Sequence, residues 1–141
     1  CAGCHQTSDP AAIRLNSTAD YDGDGDVAEG VEGELAGLQE KLYAEILKYA
    51  ETTSQLPIVY DSHSHPYWFV DADKNGEVDK DDKGANVRYN GWTPRLLKAA
   101  YNYQYSMKDT GAAIHNFKYV AQGLFDAIED LGGDVTGLTR P

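Results

Sequence analysis

Residues 30–53 read GVEGELAGLQEKLYAEILKYAETT, and this stretch decides the fold class. Its apolar residues recur every three or four positions, and glutamate and lysine occupy many of the positions between them. That period places the apolar side chains on one face of an α-helix. The stretch therefore predicts a long amphipathic helix whose core-facing side chains are Val31, Leu35, Leu38, Leu42, Ile46 and Tyr49.

Two more helices are predicted towards the C-terminus. Residues 92–109, WTPRLLKAAYNYQYSMKD, offer Thr93 as the N-cap and Pro94 as the first helical residue. Residues 115–133, HNFKYVAQGLFDAIEDLGG, offer Asn116 as the N-cap and a pair of glycines as the stop signal. The side chains expected to face the core are Leu96, Leu97, Ala100 and Tyr103 in the first helix, and Tyr119, Val120, Leu124, Phe125 and Ile128 in the second.

Residues 56–70, LPIVYDSHSHPYWFV, are predicted to be extended because Pro57 and Pro66 disfavour a helix. Side chains alternate along an extended chain, so His63 and His65 would point to the same side. They could form a metal-binding pair, and two surface histidines in a loop are the alternative interpretation.

Composition and charge limit the class of protein. Of the 141 residues, 41% are hydrophobic, and no apolar run is long enough to span a bilayer. The 12 basic and 23 acidic residues give a net charge of −11, which repels nucleic acid and anionic membranes. We expect one domain, residues 1–141, that is mainly α, small and irregular, with three or so helices, no membrane span and no nucleic-acid partner.

Acidic residues concentrate in two loops. Acidic loop 1, residues 20–31, reads DYDGDGDVAEGV and follows the first half of an EF-hand loop, with alternating aspartates, a turn glycine and Val27 at the apolar anchor position. Position twelve is Val31, so a closing carboxylate must come from Glu29 or Glu32. The predicted calcium ligands are Asp20, Asp22, Asp24, Asp26, Glu29 and Glu32.

Acidic loop 2, residues 71–82, reads DADKNGEVDKDD and fits the whole pattern better. Its closing residue is aspartate rather than glutamate, which resembles the dockerin-type loop. The predicted ligands are Asp71, Asp73, Asn75, Glu77 through its carbonyl, Asp79 through water, and Asp82. For both loops the alternative is a solvated acidic turn, but clustered carboxylates repel one another unless a cation lies between them. One or two calcium ions are expected.

The chain begins CAGCH, which contains its two cysteines. A thioredoxin-like site would need a strand and a helix around Cys1 and Cys4, which the following residues do not offer. A structural zinc site would need four nitrogen or sulfur ligands, and His63 and His65 could supply the other two, so zinc is an open alternative. A disulfide across so short a loop stabilises little. The Cys-x-x-Cys-His order is typical of haem c attachment, in which both thiols bind the haem vinyl groups and His5 is an axial iron ligand. We therefore expect one covalent haem c.

Four blocks follow one another along the chain: CAGCH at 1–5, YDGDGDVAEGVEGELAGLQ at 21–39, HPYWFVDADKNGEVD at 65–79, and residues 89–133 from YNGWTPRLLKAA to GLFDAIEDLGG. In this order they resemble the C-terminal domain of the extracytoplasmic multihaem c-type cytochromes of metal-reducing bacteria. The resemblance implies electron transfer through a low-spin haem, with the histidine of the HN step, here His115, as a haem ligand. This chain has a single CxxCH motif, so it would be a monohaem form.

The candidates for the sixth iron ligand are His115, His65, His63 and Met107. His115 is favoured because the small residues GAAI before it would let a flat ring approach the backbone; a capping or surface histidine is the alternative. His63 and His65 could instead bind the haem of a neighbouring subunit. A methionine in a helix more often fills the core, and as a ligand it would raise the reduction potential.

The sequence predicts an electron carrier rather than an enzyme. Covalent haem attachment takes place outside the cytoplasm, and the chain starts at its first cysteine as a secreted protein would after signal-peptide removal, so we expect an extracellular or periplasmic protein. A single haem needs another haem nearby, which implies either copies of the chain in an extracellular filament or other haem proteins met by a soluble shuttle. A peroxidase would need a distal arginine, and no motif places one. A calcium-stabilised structural module is a third possibility.

Overall fold

The computed structural model describes residues 2–14 and 19–141, and this part of the chain is mainly helical. A short 3₁₀ helix at Pro10–Ala12 follows the first helix. None of the helices in the two described ranges is long and apolar enough to cross a bilayer. The elements are α1 (Ala2–His5), α2 (Val31–Thr52), β1 (Ile58–Tyr60), β2 (Trp68–Val70), α3 (Pro94–Lys108), α4 (Ala112–His115) and α5 (Phe117–Leu131).

Helix α2 is the central element of the core, as its period predicts. Leu38, Leu42 and Ile46 are fully buried, and α2 packs against both α3 and α5. Tyr49 is only half-buried, and the neighbouring Ala50 takes its expected place in the core. Helices α2, α3 and α5 therefore form a three-helix core whose apolar stripes face one another.

The predicted caps of α3 and α5 are largely confirmed. The Thr93 hydroxyl accepts a hydrogen bond from the Leu96 N–H at 3.2 Å, and Pro94 begins α3. Gly132 ends α5 with a φ of 87°, a left-handed conformation that glycine adopts without strain. Asn116 occupies the N-cap position of α5, but its side chain makes no capping hydrogen bond.

Two residues predicted to face the core are exposed instead. Leu97 is 53% exposed and Tyr119 is also exposed, whereas their neighbours Leu96 and Val120 are buried. Successive residues of an α-helix are rotated by about 100°, and at these two positions the rotation turns the side chain from the partner helix towards solvent. The prediction was therefore wrong for Leu97 and Tyr119.

The extended segment is an antiparallel hairpin. Strand β1 pairs with β2 so that Tyr60 lies opposite Trp68, and their rings are 4.9 Å apart. The Trp68 ring also lies 5.7 Å from the ring of Tyr103, which joins the hairpin to α3. Residues 61–67 form the turn between the strands rather than a continuation of β1. The strand alternation expected for His63 and His65 therefore does not apply.

Candidate functional site

The cysteine-histidine motif is folded as a single helical turn. Helix α1 runs from Ala2 to His5, and the Gln6 N–H donates to the Ala2 carbonyl at 3.1 Å. Cys4 is a free, exposed thiol, and His5 is exposed as well. Cys1 lies outside the described residues. The described thiol and the imidazole are therefore both accessible to a ligand.

His5 lies at an open cavity of about 330 Å³, which we call the N-terminal cavity. The Ile13 carbonyl accepts from the Val31 N–H at 3.1 Å, so the segment after α1 is held against the start of α2. Gly30 permits this approach, because a Cβ there would overlap the Ala11 carbonyl. The lining residues are His5, Pro10, Ile13, Arg14, Val31, Ala113 and Ile114. The cavity thus has mainly apolar walls, and helix α4 forms one of them.

His115 ends helix α4, next to the wall of the N-terminal cavity. Its ring packs back on Gly111, where a Cβ would lie 3.1 Å from the His115 Cδ2. Ile114 is 57% exposed and separates the N-terminal cavity from a second cavity of about 240 Å³ that His115 lines. Met107 is exposed rather than part of the core, and it lines a third cavity that also reaches Ile114. His5, Met107 and His115 therefore line three different cavities, and Ile114 of helix α4 lines all three.

His63 and His65 lie in the exposed turn of the hairpin. The His63 Nδ1 is 3.3 Å from an Asp61 carboxylate oxygen and 3.3 Å from the Ser62 hydroxyl. The His65 ring packs edge-on against Tyr67, with the ring centroids 5.7 Å apart. The Lys108 ammonium at the end of α3 lies 4.1 Å from the centroid of the Tyr67 ring, so the turn is held near the end of α3.

In acidic loop 1 each aspartate organises the backbone that follows it. Asp20 accepts from the Gly23 and Gly25 N–H groups at 2.5 and 2.8 Å. Asp22 accepts from the Asp24 N–H at 3.1 Å, and Asp24 accepts from the Asp26 N–H at 2.7 Å. These hydrogen bonds curl the loop so that several carboxylates point inward.

The carboxylates of acidic loop 1 converge in two overlapping groups. Ligand atoms of Asp22, Asp24 and Glu29 lie within 4.8 Å of one another, and so do those of Asp20, Asp22 and Glu34. Of the two closing residues that the sequence leaves open, Glu29 joins the group. Three predicted features lie outside both groups and are exposed: Asp26, Val27 and Glu32.

Glu34 was not predicted as part of this site. It is fully buried, 2.6 Å from the Arg14 guanidinium, and it accepts from the Tyr21 N–H at 2.7 Å and from the Asp22 N–H at 3.2 Å. A signal was present in the sequence, because position 34 lies within the apolar stripe of α2, where an acid must have a buried partner.

The carboxylates of acidic loop 1 repel one another, which disfavours their ionisation. Burial raises the pKa of Asp22, and the nearby carboxylates of Asp24 and Glu34 raise it further. Burial also raises the pKa of Glu29, where Asp22 and Glu34 again contribute. Without a cation, both acids are therefore held where ionisation is costly.

Acidic loop 2 follows β2 and brings together three of its predicted ligands. Ligand atoms of Asp71, Asp73 and Asp79 lie within 4.8 Å of one another. Asp71 accepts from the Asn75 and Gly76 N–H groups at 3.0 and 3.1 Å, which forms the predicted turn. Asp82 is exposed and lies outside the three-carboxylate group, whereas the Asn75 side-chain amide donates to the Asp73 carboxylate at 3.0 Å. Asp82 lies in the turn between Lys80 and Asn86, which form an isolated bridge.

Comparisons of the chain with models of protein families, with curated proteins and with solved structures found no match. The described residues offer an exposed thiol, an imidazole at a mainly apolar cavity, and carboxylate clusters in two loops.

Proposed function

We propose that the protein carries one covalently attached haem c and transfers electrons outside the cytoplasm. The observation that supports this most directly is the placement of the CxxCH motif. Cys4 and His5 are exposed on α1, and His5 opens onto the mainly apolar N-terminal cavity. Because a haem is a flat, largely apolar group, a thiol, an imidazole and an apolar wall together fit it.

The chain's residues have distinct roles in this proposal. Cys1 and Cys4 would hold the haem through thioether bonds, and His5 and His115 would be its iron ligands, with His115 the favoured candidate for the second. The bound haem supplies a reversible one-electron iron couple. Ile13 and Ile114 line the N-terminal cavity and would keep water away from a haem bound there. The net charge of −11 favours the oxidised, more positive state and attracts cationic partners.

The arginine that lines the same cavity as His5 is already engaged, which weighs against the peroxidase alternative. Arg14 lines the N-terminal cavity, as a distal arginine would have to do. Its guanidinium donates to Glu34 and also to the carbonyls of Glu29 and Ala19 at 2.5 and 2.6 Å. An arginine held in this way cannot swing over an iron atom to polarise peroxide without breaking a buried ion pair.

Covalent haem attachment is tested by mass and absorption spectroscopy. We expect the wild-type mass to exceed that of the polypeptide by one haem, with a reversible redox titration. Cys4→Ala leaves a single thioether, so its reduced pyridine haemochrome band should shift to longer wavelength. Gly3→Ala, which places a Cβ in open space within the same motif, is the matched control and should behave as wild type. A colourless protein that binds zinc through its cysteines would disprove the proposal.

We further propose that copies of the chain assemble so that haems of neighbouring subunits approach one another. An open cavity of about 450 Å³ between α3 and α5 is lined by Tyr101, Tyr105 and Tyr119, and all three are exposed. Exposed tyrosines are a favourable composition for a protein interface. The alternative is a soluble shuttle that docks on another haem protein.

Assembly is tested by sedimentation and electron microscopy over a wide range of protein concentration. We expect filaments or large oligomers from the wild type and mainly monomers from the Tyr101→Ser, Tyr119→Ser double variant. Val27→Ser, at another exposed apolar residue, is the control and should assemble normally. A wild-type protein that stays monomeric at every concentration and exchanges electrons in a salt-sensitive way would favour the shuttle.

A further inference from the structure

One carboxylate oxygen of acidic loop 1 is buried and unpartnered. The Glu29 Oε1 is shielded from solvent and has no hydrogen-bond partner among the described residues. An oxygen of Glu29 lies within 4.8 Å of ligand atoms of both Asp22 and Asp24. A buried carboxylate oxygen without a donor is costly, so a group that is not part of the polypeptide is expected to contact it.

Asp22 adds a second buried acid to the same place. It is only 5% exposed, and the acids grouped around it are Asp20, Asp24, Glu29 and Glu34. Arg14 balances Glu34, but no salt bridge among residues 2–14 and 19–141 involves Asp22, Asp24 or Glu29. Several carboxylates therefore lie close together in a partly buried site, where Arg14 is the paired cationic side chain among the described residues.

Two glycines inside α2 make room for these acids. A Cβ at Gly33 would overlap the Glu29 Oε2, and a Cβ at Gly37 would overlap the Asp22 Oδ2. Glycine in a helix interior is less stable than alanine by about 1 kcal/mol. The two glycines lie one helical turn apart. Because neither has a side chain, the Glu29 carboxylate packs against the backbone at Gly33 and the Asp22 carboxylate against the backbone at Gly37. The site is therefore shaped by α2 as well as by the loop.

We infer that Asp22, Asp24 and Glu29 bind one divalent cation of the calcium type, with Asp20 and Glu34 completing its acidic surroundings. Calcium accepts several carboxylate oxygens in variable coordination geometry, whereas zinc prefers nitrogen and sulfur, and magnesium demands a stricter octahedral geometry. Unlike an EF-hand, the site takes its last carboxylate from Glu29, one residue before the N-cap of α2, and it leaves Val27 exposed. A cation here ties acidic loop 1 to α2, independently of any haem.

Calorimetric titration of the purified full chain with calcium chloride, after removal of metal by a chelator, tests this inference. We expect Glu29→Gln to abolish one binding event or to weaken it at least about tenfold. Glu32→Gln removes a neighbouring, exposed acid outside the cluster and should bind as wild type. If acidic loop 2 binds an ion of its own, that event should persist in Glu29→Gln. Magnesium chloride alone should bind more weakly than calcium.

A second pair of variants separates cation binding from folding. Gly33→Ala retains every charge but pushes the Glu29 carboxylate out of its place, so it should lose the same binding event while remaining helical by circular dichroism. Gly123→Ala changes a helix glycine of α5 whose Cβ would meet open space, and it should bind calcium as wild type. Unchanged calcium binding in both Glu29→Gln and Gly33→Ala, or no calcium binding by the wild type, would overturn the inference.

Discussion

Glu34→Ala should lower the free energy of unfolding by about 3–5 kcal/mol, because it breaks a buried ion pair from one side. Glu34 is fully buried, and its carboxylate is 2.6 Å from the Arg14 guanidinium. It also accepts hydrogen bonds from the backbone N–H groups of Tyr21 and Asp22. Removal of the carboxylate takes away the anion that the Arg14 guanidinium pairs with and an acceptor that two buried backbone amides share, while the guanidinium keeps its hydrogen bonds to the Ala19 and Glu29 carbonyls.

Urea denaturation in the presence of a chelator measures this effect without any contribution from a bound cation. Glu32→Ala, an exposed acid in the same turn of α2, is the control and should change the free energy of unfolding by less than about 0.5 kcal/mol. In the Arg14→Met, Glu34→Met double variant, part of the loss should be recovered, because no charge is left unpaired. A Glu34→Ala protein as stable as the control would show that the ion pair does not hold the N-terminal segment on α2.

The helical core could be predicted from the sequence because its signals are local. The apolar period of α2, the Thr93 cap and the Gly132 stop each depend on residues within a few positions. Leu97 and Tyr119 were misplaced because a run of adjacent apolar residues does not reveal which one meets the partner helix. That choice depends on how α3 and α5 cross, which is a tertiary property.

In the candidate sites, too, the sequence predicts the contacts between residues that are close along the chain and misses those made by packing. Acidic loops 1 and 2 draw most of their clustered carboxylates from neighbouring positions, so spacing was enough to find them. The Arg14–Glu34 pair joins residues 20 positions apart, and only the packing of the N-terminal segment on α2 brings them together. The approach of α4 to the N-terminal cavity is likewise a result of packing, since it joins His5 to residues near the other end of the chain.

These packing contacts connect the N-terminal cavity with acidic loop 1. Arg14 lines the N-terminal cavity and donates both to Glu34 and to the backbone carbonyl of Glu29. A cation bound by Glu29 would therefore fix the same stretch of backbone that positions Arg14. Removal of the proposed cation should therefore loosen the wall of the N-terminal cavity that Arg14 forms.

In the proposed haem protein, His115→Ala should convert the iron from low-spin to high-spin, because it removes the residue that we propose as the sixth ligand. His115 is the described histidine that lies on α4, whose residue Ile114 forms a wall of the cavity at His5. His115 is exposed, and its ring packs closely against Gly111, where a larger residue would crowd it. The expected wild-type spectrum is low-spin in both the oxidised and the dithionite-reduced protein.

His63→Ala, His65→Ala and Met107→Ala are the matched controls for this assignment, since each removes another candidate ligand. All three should stay low-spin. A His115→Ala protein that remains low-spin would exclude His115, and the control that turned high-spin would then identify the true ligand. The hairpin histidines lie beside the end of α3 rather than on α4. Ligation between subunits would therefore be indicated by two results together: a wild-type protein that is low-spin only when assembled, and a His65→Ala protein that is high-spin. Absorption spectra recorded across a dilution series separate these cases, because a ligand from the same chain is insensitive to dilution whereas a ligand from a neighbour is lost.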